Sequence, residues 1–171
     1  MADLNIRNLT LMALVTSCFL QLGAQLFAIS VVASTLVEAP PGSFAMLQGE
    51  YGYDSKAFWE TLPPITALLF VFALVANWKT KRRVLLLAAF GLFVLAGLLA
   101  GLLLEPEFAS MIETGFHDGI DPELKSRASR WYALDWTVWS VGLTAGIALL
   151  LTLNRSVASP SSTPVRGDAA E

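Results

Sequence analysis

The sequence predicts an all-α integral membrane protein, a four-helix bundle with both termini cytoplasmic and two structured external loops. Composition is the first observation. Hydrophobic residues make up 55% of the 171 and charged residues only 15%, and the mean hydropathy is +0.60, too apolar for an ordinary soluble domain of this length. The second is that the apolar residues fall into four runs, about 9–37, 58–78, 84–104 and 131–153, each long enough to cross a hydrocarbon core that needs roughly 20 helical residues. The third is the short turn between runs two and three, which holds the one dense basic cluster, Lys79, Lys81, Arg82 and Arg83.

Positive charge is retained on the cytoplasmic side of a membrane. With that turn inside and four crossings, both ends of the chain are inside as well, and the membrane is expected to be the plasma (inner) membrane. Seven basic residues then lie inside (Arg7, Lys79, Lys81, Arg82, Arg83, Arg155, Arg166) and four outside (Lys56, Lys125, Arg127, Arg130), out of 11 in all. A net charge of -3 with no basic face excludes nucleic acid as a partner. The single cysteine, Cys18, permits no intramolecular disulfide and reads as a small apolar residue within the first run.

The first run, Leu9 to Val37, spans 29 residues and exceeds a signal-peptide core, so it is read as a retained span. Gln21 and Gln25, four apart, share one face of it. Lipid offers an amide no partner, so both should face the bundle, as glue between helices or as part of a ligand site. Glu38 to Ser55 follows, with Pro40-Pro41-Gly42, Gly49 and Gly52 around Phe44 and Met46. It reads as a structured loop with about one interfacial helical turn.

The second span is bounded by Trp59 and Trp78 at the two interfaces. Its helix starts either at Ser55 or at a Thr61 cap before Leu62-Pro63-Pro64, and the second start, which leaves Glu60 among the headgroups, is the preferred reading. The third span, Val84 to Leu104, carries Gly97-Leu-Leu-Ala-Gly101, a small-xxx-small spacing that lets another helix approach closely. Glu105-Pro106 should then break or bend the helix, leaving a short amphipathic segment ended by Gly115. The residues His117-Asp118-Gly-Ile-Asp121 match no metal-binding loop, so no metal is assigned there, and no cofactor is indicated elsewhere.

Asp121-Pro122-Glu123 is a strong helix start: a capping acid, proline at the first helical position and an acid in the first turn. The fourth helix therefore begins near residue 122, outside the membrane, and carries Trp131, Tyr132, Trp136 and Trp139 into the interface. Residues 156–171, rich in Ser, Pro and Ala, read as a disordered cytoplasmic tail.

The fourth helix holds the main candidate site. At ~100° per residue, Leu124, Ala128, Trp131, Asp135, Gly142 and Gly146 share one face, so Asp135 should point into protein beside the small-xxx-small pair Gly142 and Gly146. An ionisable residue within a membrane span is a candidate functional group. The glycines predict a close seam between the third and fourth helices through Gly97, Gly101, Gly142 and Gly146, within the chain or across a homodimer.

Four spans, an external proline-containing loop after a long first helix, and Arg127-Ala-Ser-Arg130-Trp131 leading into the last span resemble the anthrone-oxygenase-like family of small four-helix membrane proteins. The resemblance covers roughly residues 9–153. Asp135 stands where that family carries an asparagine and Val138 where it carries an arginine. The resemblance implies a protein that binds or transforms a lipophilic aromatic or quinone-like molecule from the outer leaflet. Asp135 would be base or anchor, Glu60, Gln21 and Gln25 would assist, and Trp131, Trp136 and Trp139 would form walls. Two alternatives remain open: a non-catalytic subunit or scaffold of a larger membrane assembly, and a small transporter. What touches Asp135 separates the first two.

Overall fold

A computed structural model describes residues 5–115 and 119–154. The expected tail, His117 and Asp118 lie outside the described residues. Four long helices run α1 (Ile6–Leu36), α2 (Lys56–Asn77), α3 (Arg83–Ile112) and α4 (Pro122–Asn154), each long and apolar enough to cross a membrane. Among the described residues no strand forms, and one isolated bridge joins Pro41 to Ile120. All-helical backbone follows from the setting, because a helix satisfies its own N–H and C=O groups where no water does.

Helix α1 packs on α2 and on α4, α3 packs chiefly on α4, and α2 meets α3, which closes the bundle. Two apolar clusters fill it. One, toward the end that holds the 78–82 turn, gathers Leu11, Leu14, Phe70, Leu86 and Leu149 with their neighbours. The other, toward the end that holds the two loops, gathers Val32, Leu36, Phe44, Met111, Leu124 and Ala128. Phe44 belongs to the first loop, in a short 3-10 helix over Gly42–Leu47. Burying that ring in the second cluster, at 3% exposure, pins the loop to the bundle; fully burying a Phe contributes ~1.5–3 kcal/mol. The Asp121 N–H donates to the Pro40 carbonyl at 3.0 Å, so the two loops close on each other.

Two helix boundaries differ from the sequence reading. The expected Thr61 cap is overturned: α2 begins at Lys56, where the Asp54 carboxylate accepts the Lys56 N–H at 2.8 Å. Pro63 and Pro64 lie inside the helix. About two turns into the helix, they remove two N–H donors and leave the Trp59 and Glu60 carbonyls without their i+4 partners. In α3, Pro106 does not end the helix. A π-helical stretch over Ala100–Leu104 precedes it and absorbs the register change, and Pro106 then occupies the first turn of the following α-helical segment, Glu105–Ile112, where a missing N–H is tolerated. Gly115, at φ +73°, takes the left-handed conformation after the helix and donates its N–H to the Ile112 carbonyl at 3.0 Å, the stop that the sequence predicts.

At the other end, Arg82 departs from its neighbours in the basic cluster. Lys79, Lys81 and Arg83 are exposed, whereas Arg82 is 6% exposed. Its guanidinium donates to Asn8 Oδ1 at 2.8 Å and to the Leu153 carbonyl at 3.5 Å. One cation thus ties the first turn of α1 to the last turn of α4, where a helix C-terminus favours positive charge.

Candidate functional site

The face of α4 predicted to point inward does so. Leu124, Ala128, Asp135 and Gly146 are all buried, and Asp135 is 9% exposed. By chain position Asp135 falls between the two apolar clusters, with Ala128 in one and Leu149 in the other. Its partner is Gln25, whose Nε2 donates to Asp135 Oδ1 at 3.2 Å. Gln25 comes from the α1 face that the four-residue spacing predicts, so the carboxylate is held directly between two helices.

Gln21 is one turn away from Gln25 and serves a different pair of helices. Its Nε2 donates to Thr66 Oγ1 of α2 and to the Ser17 carbonyl at 3.5 Å. Ser17 Oγ and Thr66 Oγ1 are hydrogen-bonded at 2.6 Å, and Thr66 Oγ1 also donates to the Leu62 carbonyl at 3.0 Å. Ser17, Gln21 and Gln25 therefore form a polar ladder at i, i+4 and i+8 on α1. Its lower rungs join α2 and its top rung joins α4. Thr66 is fully buried and escaped the sequence reading, because a lone threonine in an apolar run carries no periodic signal. Asn77 was missed for the same reason. It is fully buried; its Nδ2 donates to the Ala73 carbonyl at 3.0 Å, and its Oδ1 has no hydrogen-bond partner among the described residues.

Two of the three aromatic residues proposed as walls are engaged with backbone. Trp131 Nε1 donates to the Leu104 carbonyl at 3.1 Å, at the end of the π-helical stretch of α3, and its ring stacks on Phe108 at 5.1 Å. Trp139 Nε1 donates to the Leu22 carbonyl of α1 at 3.1 Å. Trp136 is half-buried and meets Tyr132 and Trp139 edge-on at 6.4 and 5.7 Å. The Trp131 and Trp139 indoles hold α4 against α3 and α1, which is how a Trp N–H away from water is usually satisfied.

Glu60 stands apart from this group. Its side chain is 65% exposed and lies 3.6 Å from Lys56 Nζ, one helical turn earlier, and no hydrogen bond links it to Asp135 or Gln25. An exposed pair of this kind contributes little. Asp135 lines neither of two surface cavities. One, of 490 Å³, is lined by Val15, Thr16, Phe19, Leu20 and Leu150; the other, of 330 Å³, lies on the 78–82 turn.

The glycine seam requires correction. A Cβ on Gly142 would meet Leu22 Cδ2 at 3.3 Å, and one on Gly146 would meet Leu22 Cδ1 at 2.9 Å and Phe19 at 3.4 Å. Those glycines close on α1, not on α3. Gly97 and Gly101 are exposed, with nothing within 4 Å of where a Cβ would stand, so they take no part in packing α3 on α4 within the chain. Comparison with known proteins finds no matching family model, no matching curated protein and no matching solved structure.

Proposed function

We propose that this chain is a non-catalytic subunit or scaffold of a larger membrane assembly, in which Asp135 serves as a structural lock between α1 and α4. The observation that carries the reading is the direct contact of Asp135 with Gln25, on a helix face whose neighbouring indoles are already spent on backbone carbonyls. A buried carboxylate with an amide donor is costly to unpair, and breaking such a pair is more damaging than its net contribution suggests. A partner helix would close on Gly97 and Gly101, the small-residue face of α3 that this chain leaves uncovered. Binding of a lipophilic aromatic or quinone-like molecule near Asp135 is the competing outcome.

Thermal melting in detergent, beside mass spectrometry of co-purified small molecules, separates the two. Asp135→Leu leaves the Gln25 amide unpaired and should cost about 1–3 kcal/mol. Asp135→Asn keeps an acceptor oxygen and should cost less, with the small-molecule content unchanged in both. An Asp135→Asn protein that melts at or above the wild-type temperature but loses a co-purified lipophilic compound overturns the scaffold reading.

In this proposal the 78–82 turn faces the cytoplasm, both ends of the chain lie on that side, and the membrane is the plasma membrane. The support is the seven-to-four asymmetry of basic residues. In a Cys18→Ala background, Gln48→Cys and Ser126→Cys, both at exposed positions, should react with an impermeant thiol reagent on intact cells. Lys81→Cys should react only after permeabilisation. The opposite pattern reverses the orientation.

A further inference from the structure

The 330 Å³ cavity on the turn between α2 and α3 is lined by Trp78, Lys79, Thr80, Lys81, Arg83 and Val84. Three of those six side chains are cationic, and none is a carboxylate. The turn that presents them is fixed by Thr80. Its N–H and hydroxyl both donate to the Asn77 carbonyl, at 2.9 and 2.8 Å. Its Oγ1 accepts the Arg82 N–H at 3.2 Å and its carbonyl accepts the Arg83 N–H at 3.3 Å. With Arg82 turned inward onto Asn8 and Leu153, Lys79, Lys81 and Arg83 are left on the outside of a braced turn. The Arg83 guanidinium is further held over the Trp78 ring, 5.4 Å from its centroid, as expected of a cation on an aromatic face.

We infer that this turn is a binding site for the phosphate headgroup of an anionic phospholipid. Charge and place both point to that ligand. Two ammonium groups and a guanidinium around one cavity suit a phosphate, which accepts from Lys as a point charge and from Arg in a fork. Three cations beside a helix end, with no ion pair to a carboxylate among the described residues, also draw anionic lipid through the field at the membrane surface. The surface adjoining the cavity is apolar and uncovered: Val84 is 65% exposed and Val75, one turn before Trp78, is 72% exposed. A soluble phosphate gains nothing from those side chains, whereas acyl chains descending from a headgroup in the cavity would run along them.

The test is native mass spectrometry of the full chain in detergent, with phosphatidylglycerol or phosphatidylcholine added at equal concentration. Wild type should retain phosphatidylglycerol in preference. Lys79→Gln, Lys81→Gln and Arg83→Gln, each at an exposed position that leaves the rest of the cluster in place, should each reduce that preference about five-fold. Lys81→Arg should keep it, and so should Lys125→Gln, which neutralises an exposed cation at the opposite end of the bundle. Equal retention of the two lipids by wild type, or a loss in Lys125→Gln equal to that in the turn variants, overturns the site. Inorganic phosphate as competitor distinguishes the source of the ligand. Displacement of phosphatidylglycerol by an equal concentration of phosphate would make the site one for soluble phosphate and overturn the lipid assignment.

Discussion

Gly97-Leu-Leu-Ala-Gly101 and Gly142-Leu-Thr-Ala-Gly146 are nearly the same five-residue phrase, yet the molecule uses them in opposite ways. The second lies against Leu22 and Phe19 so closely that a methyl group on Gly146 would stand 2.9 Å from a Leu22 carbon. The first opens on nothing within 4 Å. A small-xxx-small spacing removes the side chains that would keep two helices apart, which permits close approach without providing the attraction. On α4 the attraction comes from the same helix face, where Asp135 accepts from Gln25 and Trp139 donates to Leu22, both on α1. No such group stands beside Gly97 and Gly101; what surrounds them on the surface of α3 is leucine and valine, such as Leu98 at 53% exposed, which lipid solvates as readily as a helix would.

The contrast can be broken most directly at Gly146. Gly146→Leu forces a branched side chain into the Leu22 contact and should cost about 1–3 kcal/mol, the usual range for overpacking, read as a lower melting temperature in detergent. Wild-type stability for this variant would place the seam elsewhere. A sharper version tests the identity of the neighbour. Leu22→Ala is destabilising by itself, but combined with Gly146→Leu it empties the space that the new side chain needs. The double variant should be less destabilised than the sum of the two singles by about 0.5–3 kcal/mol, and strict additivity would show that the two residues do not meet. The smallest effect is expected on α3. Gly101→Leu should lie within about 0.5 kcal/mol of wild type for the isolated chain, while reducing any association through that face measured by cross-linking in the membrane. A large loss of stability in the isolated chain would mean that α3 is packed through its glycines after all.

The polar residues divide in the same way. Gln21 and Gln25 look equivalent in sequence, four apart on one face of an apolar run, but one is bound to α2 through Thr66 and the other to α4 through Asp135. One turn of helix rotates and lifts the side chain enough to change its neighbour. Arg82 is a stronger case. Four basic residues in a five-residue stretch read as a uniform topogenic cluster, and three of them are exposed as expected. The fourth is buried because Asn8 and the Leu153 carbonyl, separated from it by more than seventy positions in either direction, converge on the same point.

What the sequence determined by itself is whatever depends on one segment meeting one solvent. Apolar runs of sufficient length must be helical where backbone groups find no water, so the four helices were legible. So was the start of α4 at Asp121-Pro122, where Asp121 Oδ1 accepts the N–H groups of Glu123 and Leu124 at 2.8 and 3.1 Å. The inward face of that helix, with Asp135 on it, follows from the helical period alone. Tertiary structure decided whatever depends on two segments meeting: which glycine pair is covered, which amide reaches the carboxylate, which arginine turns inward, and the continuity of α3 through Pro106, where the π-helical stretch ends on the Leu104 carbonyl that Trp131 claims. The physical reason is that a helix carries its own hydrogen bonds and can be read one at a time, whereas in an apolar solvent any of several faces of α3 is acceptable. The choice among them falls to a few polar groups and close contacts contributed by residues far apart in the chain.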